Sequence, residues 1–544
     1  MMNKSIYQNE RREGAGHTIP RPLCLIAAVF LCAGLLCSAS LSAAGSLTPQ
    51  EKRGRHIYIR TESPSGEKIR AYIGKDLMEA PGSAMPCAGC HGMDGLGRPE
   101  SGVIPTNVTW EHMTKPYGVR HESGRTHPPY TGETLARSIA EGIDPAGNRL
   151  DPSMPLYLLS KQDMADLVAY MKRLGSLSDP GVSPSGIRIG TLLPSHGQLT
   201  GAGAAMRAAV EAYFMEINQQ GGLYNRRLEL VAAEYGAGAT APVVKARTMI
   251  EEGDVFALAA GLFAGAEGEV AALVEAEGVP FIGPLTLFPQ DPHTLNNATF
   301  YVFSGLGDQA RALVDYATQR QKRPAMAVVY DSTGTRHGII EAAREQLRKH
   351  GLAAVSVIGF GGGRPDAART VRELQQAGVD SLLFFGSPEA LKSVLAEADR
   401  VQWQPLVLLA GAQSAKELFA MPLSFHEKIV LSSPTAPSDL HGPGAVEFAL
   451  LAEKYRLSPD HKAAQISAYA AARILVEGLK SGGRELTREK LVKALEGLYR
   501  FETGVTPRIS YAPNRRTGAL GAHIITVDLV DKTFRPAGDW ITPR

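Results

Sequence analysis

The stretch PCAGCHGMDG, residues 86–95, sets two thiols and an imidazole side by side: Cys87, Cys90 and His91. The chain has five cysteines in all, and Cys24, Cys32 and Cys37 fall in an apolar N-terminal run. A disulfide-stapled domain spreads more cysteines along its length, and a structural zinc needs a closed ligand set of which only these three side chains cluster. A thioredoxin-like dithiol should open a helix after a strand, whereas this pair follows the loop PGSAMP. Covalent haem attachment fits the spacing. Thiols three residues apart on one helical turn meet the two vinyl groups, and the adjacent imidazole then lies under the iron. One covalently attached haem c is therefore expected, with Cys87 and Cys90 as its attachment points and His91 as an iron ligand.

Such attachment belongs to an exported protein, and the N-terminus reads that way. Arg11, Arg12 and Arg21 precede the apolar run Leu23–Cys37, and Ser42-Ala43-Ala44 offers small residues for cleavage. Residues 1–44 are read as a signal peptide and the mature protein as periplasmic; the run is short for a membrane span, which disfavours a retained anchor.

The elements that must position the haem flank the motif. EKRGRHIYIR, residues 51–60, reads as a helix whose Gly54 permits close crossing by a second helix near Tyr170. That second helix carries Leu167, Val168, Met171 and Leu174 at helical spacing. Ahead of it Met154 precedes Pro155 in a loop and is the candidate for the iron's other face, since thioether ligation raises the potential as an electron carrier requires. On these residues the segment 45–175 resembles a class I c-type cytochrome, an all-α domain. The resemblance implies His91 as proximal ligand, Met154 as distal ligand, and Pro105 as a brace for His91. Met93, Met113, His112, His121 and His127 compete with Met154. Met93 is too near His91 to reach the opposite haem face, and the three histidines lie in a polar, Pro-rich insert where solvation is the common fate of a histidine.

SLSDPGVSPSG, residues 176–186, reads as a linker, a tether that permits contact between its neighbours without requiring it. From residue 187 strands and helices alternate: IRIGTLLP, RRLELVAAEY, FALAAG and VPFIGP, then a fresh start at PAMAVVYD, followed by VSVIGF, SLLFFG and PLVLLAG. Single helices between strands argue parallel sheets, and two such runs argue two lobes. INQQGGLYNRRLELV, GVPFIGP and YVFSGLGDQARALVDYA make residues 187–544 resemble the type 1 periplasmic binding proteins of the leucine/isoleucine/valine-binding family. The resemblance implies two discontinuous α/β lobes, with the chain crossing near residues 308, 436 and 505, and a ligand in the cleft between them.

The pocket departs from that family's pattern. Where its amino-acid binders place a hydroxyl and backbone amides for a carboxylate, this chain has Leu262-Phe263-Ala264-Gly265, which leaves amides alone. The next strand end leaves Thr286 as the polar group, and Ala412 and Gln413 stand where an acid would meet an ammonium. An unpaired buried ammonium costs several kcal/mol, so an ordinary zwitterion is disfavoured. Phe263, Leu285, Leu287, Phe288 and Phe385 argue either an apolar ligand or core packing. Asp331, Thr335 and Arg336 could add charge from across the cleft or form an exposed turn.

A net charge of +2 with 21% charged residues provides no basic field for nucleic acid, and 44% apolar residues are ordinary for a soluble protein. No nucleophile elbow, HExxH or dinucleotide fingerprint occurs, so no enzymatic chemistry is expected. Two functions stay open. One is an electron carrier coupled or tethered to a small-molecule-binding domain, with a periplasmic or membrane oxidoreductase as redox partner. The other is the substrate-binding protein of an importer, working with an ABC permease and carrying an accessory haem.

Overall fold

The computed structural model describes residues 47–97, 103–175, 179–252, 255–289, 298–333, 337–411 and 416–543. Contacts divide the chain after Thr48, and Pro49–Arg544 forms one compact unit. The expected signal peptide lies outside the described residues, as do 176–178 of the expected linker. None of the helices among the described residues is long and apolar enough to cross a membrane.

The N-terminal part opens with α1 (Pro49–Arg60), β1 (Arg70–Ile73), β2 (Met78–Pro81) and α2 (Cys87–His91). There follow α3 (Trp110–Met113), β3 (Val119–Arg120), β4 (Thr126–His127), α4 (Gly132–Glu141), β5 (Leu156–Leu158) and α5 (Lys161–Met171). The expected crossing forms between α1 and α5. A Cβ on Gly54 would lie 1.9 Å from the carbonyl oxygen of Asp166, so only glycine lets the backbones approach this closely. Arg53 pairs with the buried Asp166 at 2.7 Å, and the Tyr58 and Tyr170 rings sit 5.5 Å apart across the same seam. A small antiparallel sheet of order β2-β1-β5 adds to the helices; its strands are too short to stand out in the sequence.

The remainder begins with β6 (Gly186–Pro194), α6 (Thr200–Gln219), β7 (Arg227–Tyr235), α7 (Ala241–Glu252), β8 (Ala257–Ala259), α8 (Glu267–Ala276), β9 (Phe281–Ile282) and β10 (Thr299–Phe303). Next come α9 (Leu306–Arg320), β11 (Met326–Asp331), α10 (His337–Lys349), β12 (Ser356–Phe360), α11 (Ala367–Gln376), β13 (Ser381–Phe385), α12 (Pro388–Arg400), β14 (Leu406–Ala410) and β15 (Ile429–Ser433). It closes with α13 (Gly442–Lys454), α14 (Lys462–Gly482), α15 (Arg488–Glu496), β16 (Thr517–Ala519), β17 (His523–Asp528) and β18 (Thr533–Pro536). One sheet runs β16-β10-β9-β8-β6-β7 and is parallel; the other runs β12-β11-β13-β14-β15-β17-β18, parallel until β17 and β18 join antiparallel. Helices on both faces explain runs such as Met326–Val329, in which every side chain is buried.

The chain passes from the first sheet to the second after Phe303, because α9 packs Leu306, Ala310 and Leu313 against Val328 and Leu383. It returns after Ser433, where Phe448 and Leu451 of α13 join the first core. The third crossing, expected near 505, lies instead between Ala519 and His523. Val505 and Ile509 are still core residues of the first lobe, and β16 pairs with β10.

Candidate haem site and ligand cleft

Helix α2 presents its two thiols and imidazole from a single short turn. Pro86 caps it and cannot extend it backwards, and Gly92 ends it at φ 77°. The Cys87 thiol is half-buried beside Thr61, and burial pushes it up to about 11, while Cys90 is exposed. His91 is only 9% exposed, and its Nδ1 lies 2.9 Å from the carbonyl oxygen of Thr106. A carbonyl can only accept, so Nδ1 carries the proton and Nε2 keeps its lone pair. Burial holds the ring below the usual histidine range, which keeps it neutral, the form that ligates a metal. The expected brace, Pro105, is thus corrected to Thr106, its neighbour. The Pro105 carbonyl is pressed against Gly97, where a Cβ would come within 2.2 Å of it.

Met154 sits in a turn closed by its own N–H to the Asp151 carbonyl at 2.9 Å. Two residues past Pro155, the Tyr157 hydroxyl donates to the Met85 carbonyl at 2.7 Å and so ties this loop to the segment leading into α2. Met113 is 5% exposed within the core. Met93 points elsewhere, with its terminal methyl 3.0 Å from where a Cβ on Gly278 would be.

Of the insert's three histidines, His127 is buried rather than solvated, while His112 and His121 are half-buried. His127 is 6% exposed; its Nδ1 donates to the Pro128 carbonyl at 2.8 Å and its Nε2 lies 3.0 Å from His121 Nε2. Arg125 donates to that same His121 nitrogen and pairs with the buried Asp144 at 2.8 Å. These partners, with the Tyr130 ring edge-on to His127, supply what water would otherwise give. Burial, then the positive field of Arg125 and the neighbouring histidines, pushes His121 down to about 4.

In the first lobe, successive strands run to opposite sides of β6, which puts a crevice outside the carboxyl ends of β6 and β8. Phe263 is buried there and lines a small cavity with Glu267, Phe281, Pro284, Thr286 and Tyr301. Ala264 and Gly265 are exposed at its rim. Glu267, which the sequence reading missed, dominates this wall. It accepts the Gly265 N–H at 2.7 Å and faces the Thr286 hydroxyl at 3.5 Å, while Thr286 in turn accepts from the Phe288 N–H at 2.9 Å. The acid in AGAEGE was the available signal. In the second lobe Leu306, Phe384, Phe385, Ser387, Leu409 and Leu431 line a larger, mainly apolar cavity at the ends of β13 and β14. Asp331 bonds the N–H and hydroxyl of Thr333, closing its own turn. Thr335, Arg336, Ala412 and Gln413 lie outside the described residues.

The haem-motif region and the first lobe meet through a built contact. Glu277, 7% exposed at the end of α8, pairs with both Arg55 and Arg60 of α1. Arg488, also 7% exposed, donates to the carbonyls of Val255 and Phe256 at 2.8 and 2.9 Å, and its backbone N–H bonds Asp179.

The model of the periplasmic binding protein family matches residues 186–528, and that of cytochrome c matches residues 73–175. The Leu/Ile/Val-binding protein homolog 3 of Brucella melitensis is 24% identical over 340 residues, covering 62% of this chain and 90% of that protein. A putative branched-chain amino acid ABC transporter protein from Rhodospirillum rubrum superposes with TM-score 0.54 at 18% identity, covering 64% of this chain and 99% of its own. A branched-chain amino acid ABC transporter protein from Thermus thermophilus, solved with bound valine, gives 0.53 at 19%, covering 66% and 97%. At these identities the structural likeness speaks for the fold.

Proposed function

Since the chain belongs to the periplasmic binding protein family through residues 186–528 and carries a cytochrome c unit over 73–175, we propose that it is a periplasmic electron carrier joined to a small-molecule-binding domain. The observation that carries this reading is the His91–Thr106 bond, which protonates Nδ1 and leaves Nε2 free to ligate. The donor set fits a covalent haem: Cys87 and Cys90 would hold it through thioethers, His91 Nε2 would take one face of the iron and Met154 the other. The bound haem supplies a one-electron ferric/ferrous couple. The chain's own part is to fix the His91 tautomer through Thr106, to hold the Met154 loop against α2 through Tyr157, and to seat Cys87 beside Thr61. One haem per chain is the reading, since Cys87 and Cys90 remain as the only thiols after a leader ending at Ala44 is removed.

Spectroelectrochemical titration tests the carrier role. A single reversible one-electron wave is expected, together with reduction by a periplasmic or membrane oxidoreductase. An iron that cannot be cycled, or that binds oxygen or carbon monoxide at once on reduction, overturns it.

A second reading is favoured by the relatives: the Brucella protein is named for leucine, isoleucine and valine, and the Thermus protein holds valine. Family membership implies a small-molecule ligand and an ABC permease. In that reading the chain feeds an importer and the haem is accessory. Loss of uptake of a branched-chain amino acid on deletion, restored by a Cys87→Ala, Cys90→Ala chain, would favour import over electron transfer.

A further inference from the structure

Two hydrogen-bond donors of the first lobe's wall, the Gly265 N–H and the Thr286 hydroxyl, converge on one side chain of this same chain, Glu267. That carboxylate lines the cavity together with Phe263, Phe281 and Tyr301. We propose that Glu267 sets the ligand's chemistry: an apolar body with a hydrogen-bond-donating head, hydroxyl or ammonium, and no carboxylate. The proposal rests on the reading of residues 186–528 as a ligand-binding domain and names what that domain selects.

The reasoning is chemical. A carboxylate has about four lone-pair sites, of which the wall's two donors use part, so acceptor capacity remains on a side chain that lines the cavity. A ligand donor completes it. A ligand carboxylate would meet a fixed negative charge in a partly enclosed site and find the Gly265 N–H already taken, which leaves it desolvated and unpaired. Across the cleft, Leu306, Phe384, Phe385, Leu409 and Leu431 offer an apolar surface suited to the ligand's body.

The test is calorimetric titration of the full-length holoprotein with four six-carbon probes: 1-hexanol, hexylamine, hexanoate and L-leucine. The expected result is that hexanol or hexylamine binds at least tenfold more tightly than hexanoate and leucine. Whichever of the two prevails tells a neutral from a cationic head. Glu267→Gln keeps the shape and one acceptor but removes the charge; it should erase the discrimination against hexanoate and weaken hexylamine at least tenfold. Hexanoate or leucine binding the unmutated protein as tightly as the other two overturns the proposal while leaving a ligand-binding domain. An unchanged ranking in Glu267→Gln also overturns it. Silence from all four at millimolar concentration counts against the ligand-binding reading itself.

Discussion

A backbone carbonyl sets the tautomer of His91, and this explains both what the sequence revealed and what it concealed. The pair of thiols and its histidine stand out in the sequence because covalent attachment to a rigid porphyrin would dictate such a spacing. The carbonyl at Thr106 rather than Pro105 does not, since a backbone oxygen has no residue signature. For the same reason Glu267, whose carboxylate is engaged by a neighbouring N–H, was missed, and the histidine insert was read as solvated because Asp144, which anchors Arg125, lies beyond the insert. Two predictions belong here. Met154→Ala should abolish the near-infrared sulfur-to-iron band of the ferric protein and lower its potential, whereas Met113→Ala should keep the band and cost about 2–5 kcal/mol of stability as a core truncation. The reverse pattern would reassign the ligand. The second concerns His121, whose folded pKa, about 4, lies below its unfolded value of 6.5. The unfolded chain therefore binds more protons between those values, so stability contributed above pH 6.5 is lost as pH falls toward 4. Melting temperatures of wild type and His121→Gln across that window should differ in slope, with the variant flatter; parallel curves would contradict the assignment.

Among elements, the α1–α5 crossing was readable from a lone glycine in a helix that also carried Tyr58, opposite a helix carrying Tyr170. Its geometry makes a sharp prediction. Any side chain at residue 54 collides with the backbone of Asp166, so Gly54→Ala should separate the helices and weaken the Arg53–Asp166 pair. The cost should be about 1–3 kcal/mol, read as a lower melting temperature for haem-region signals; a neutral substitution would mean that the helices can part freely. The alternation of β6 through β14 was equally plain, because buried parallel strands read as apolar runs. Harder were β1, β2 and β5, strands of only three or four residues, and the final crossing. There β16 spans only Thr517–Ala519, and a strand so short gives no period to read before β17 carries the chain to the other sheet.

At the scale of the whole molecule, the tether between the cytochrome-like region and the binding lobes turns out to be the lesser connection. Glu277 gripped by Arg55 and Arg60, and Met93 against Gly278, join the two through side chains far apart in sequence, which no local pattern discloses; Arg488, buried among first-lobe carbonyls, bonds Asp179 of the tether itself. Burial lowers Arg488 only to about 10, so it stays charged at neutral pH and holds those carbonyls throughout the physiological range. Because both arginines of α1 remain partly exposed, Glu277→Ala should cost about 1–3 kcal/mol. It should speed hydrogen exchange in α1 and around residues 275–280 while leaving the haem spectrum intact; unchanged exchange in α1 would show the contact to be incidental. All of this depends on a haem bonded to the chain, and weighing the intact protein after unfolding tests that most directly. Protein matured in a periplasm and unfolded in acid should carry the mass of one haem beyond the polypeptide, and none after Cys87→Ala with Cys90→Ala. Haem that leaves the wild-type chain on unfolding would contradict the account.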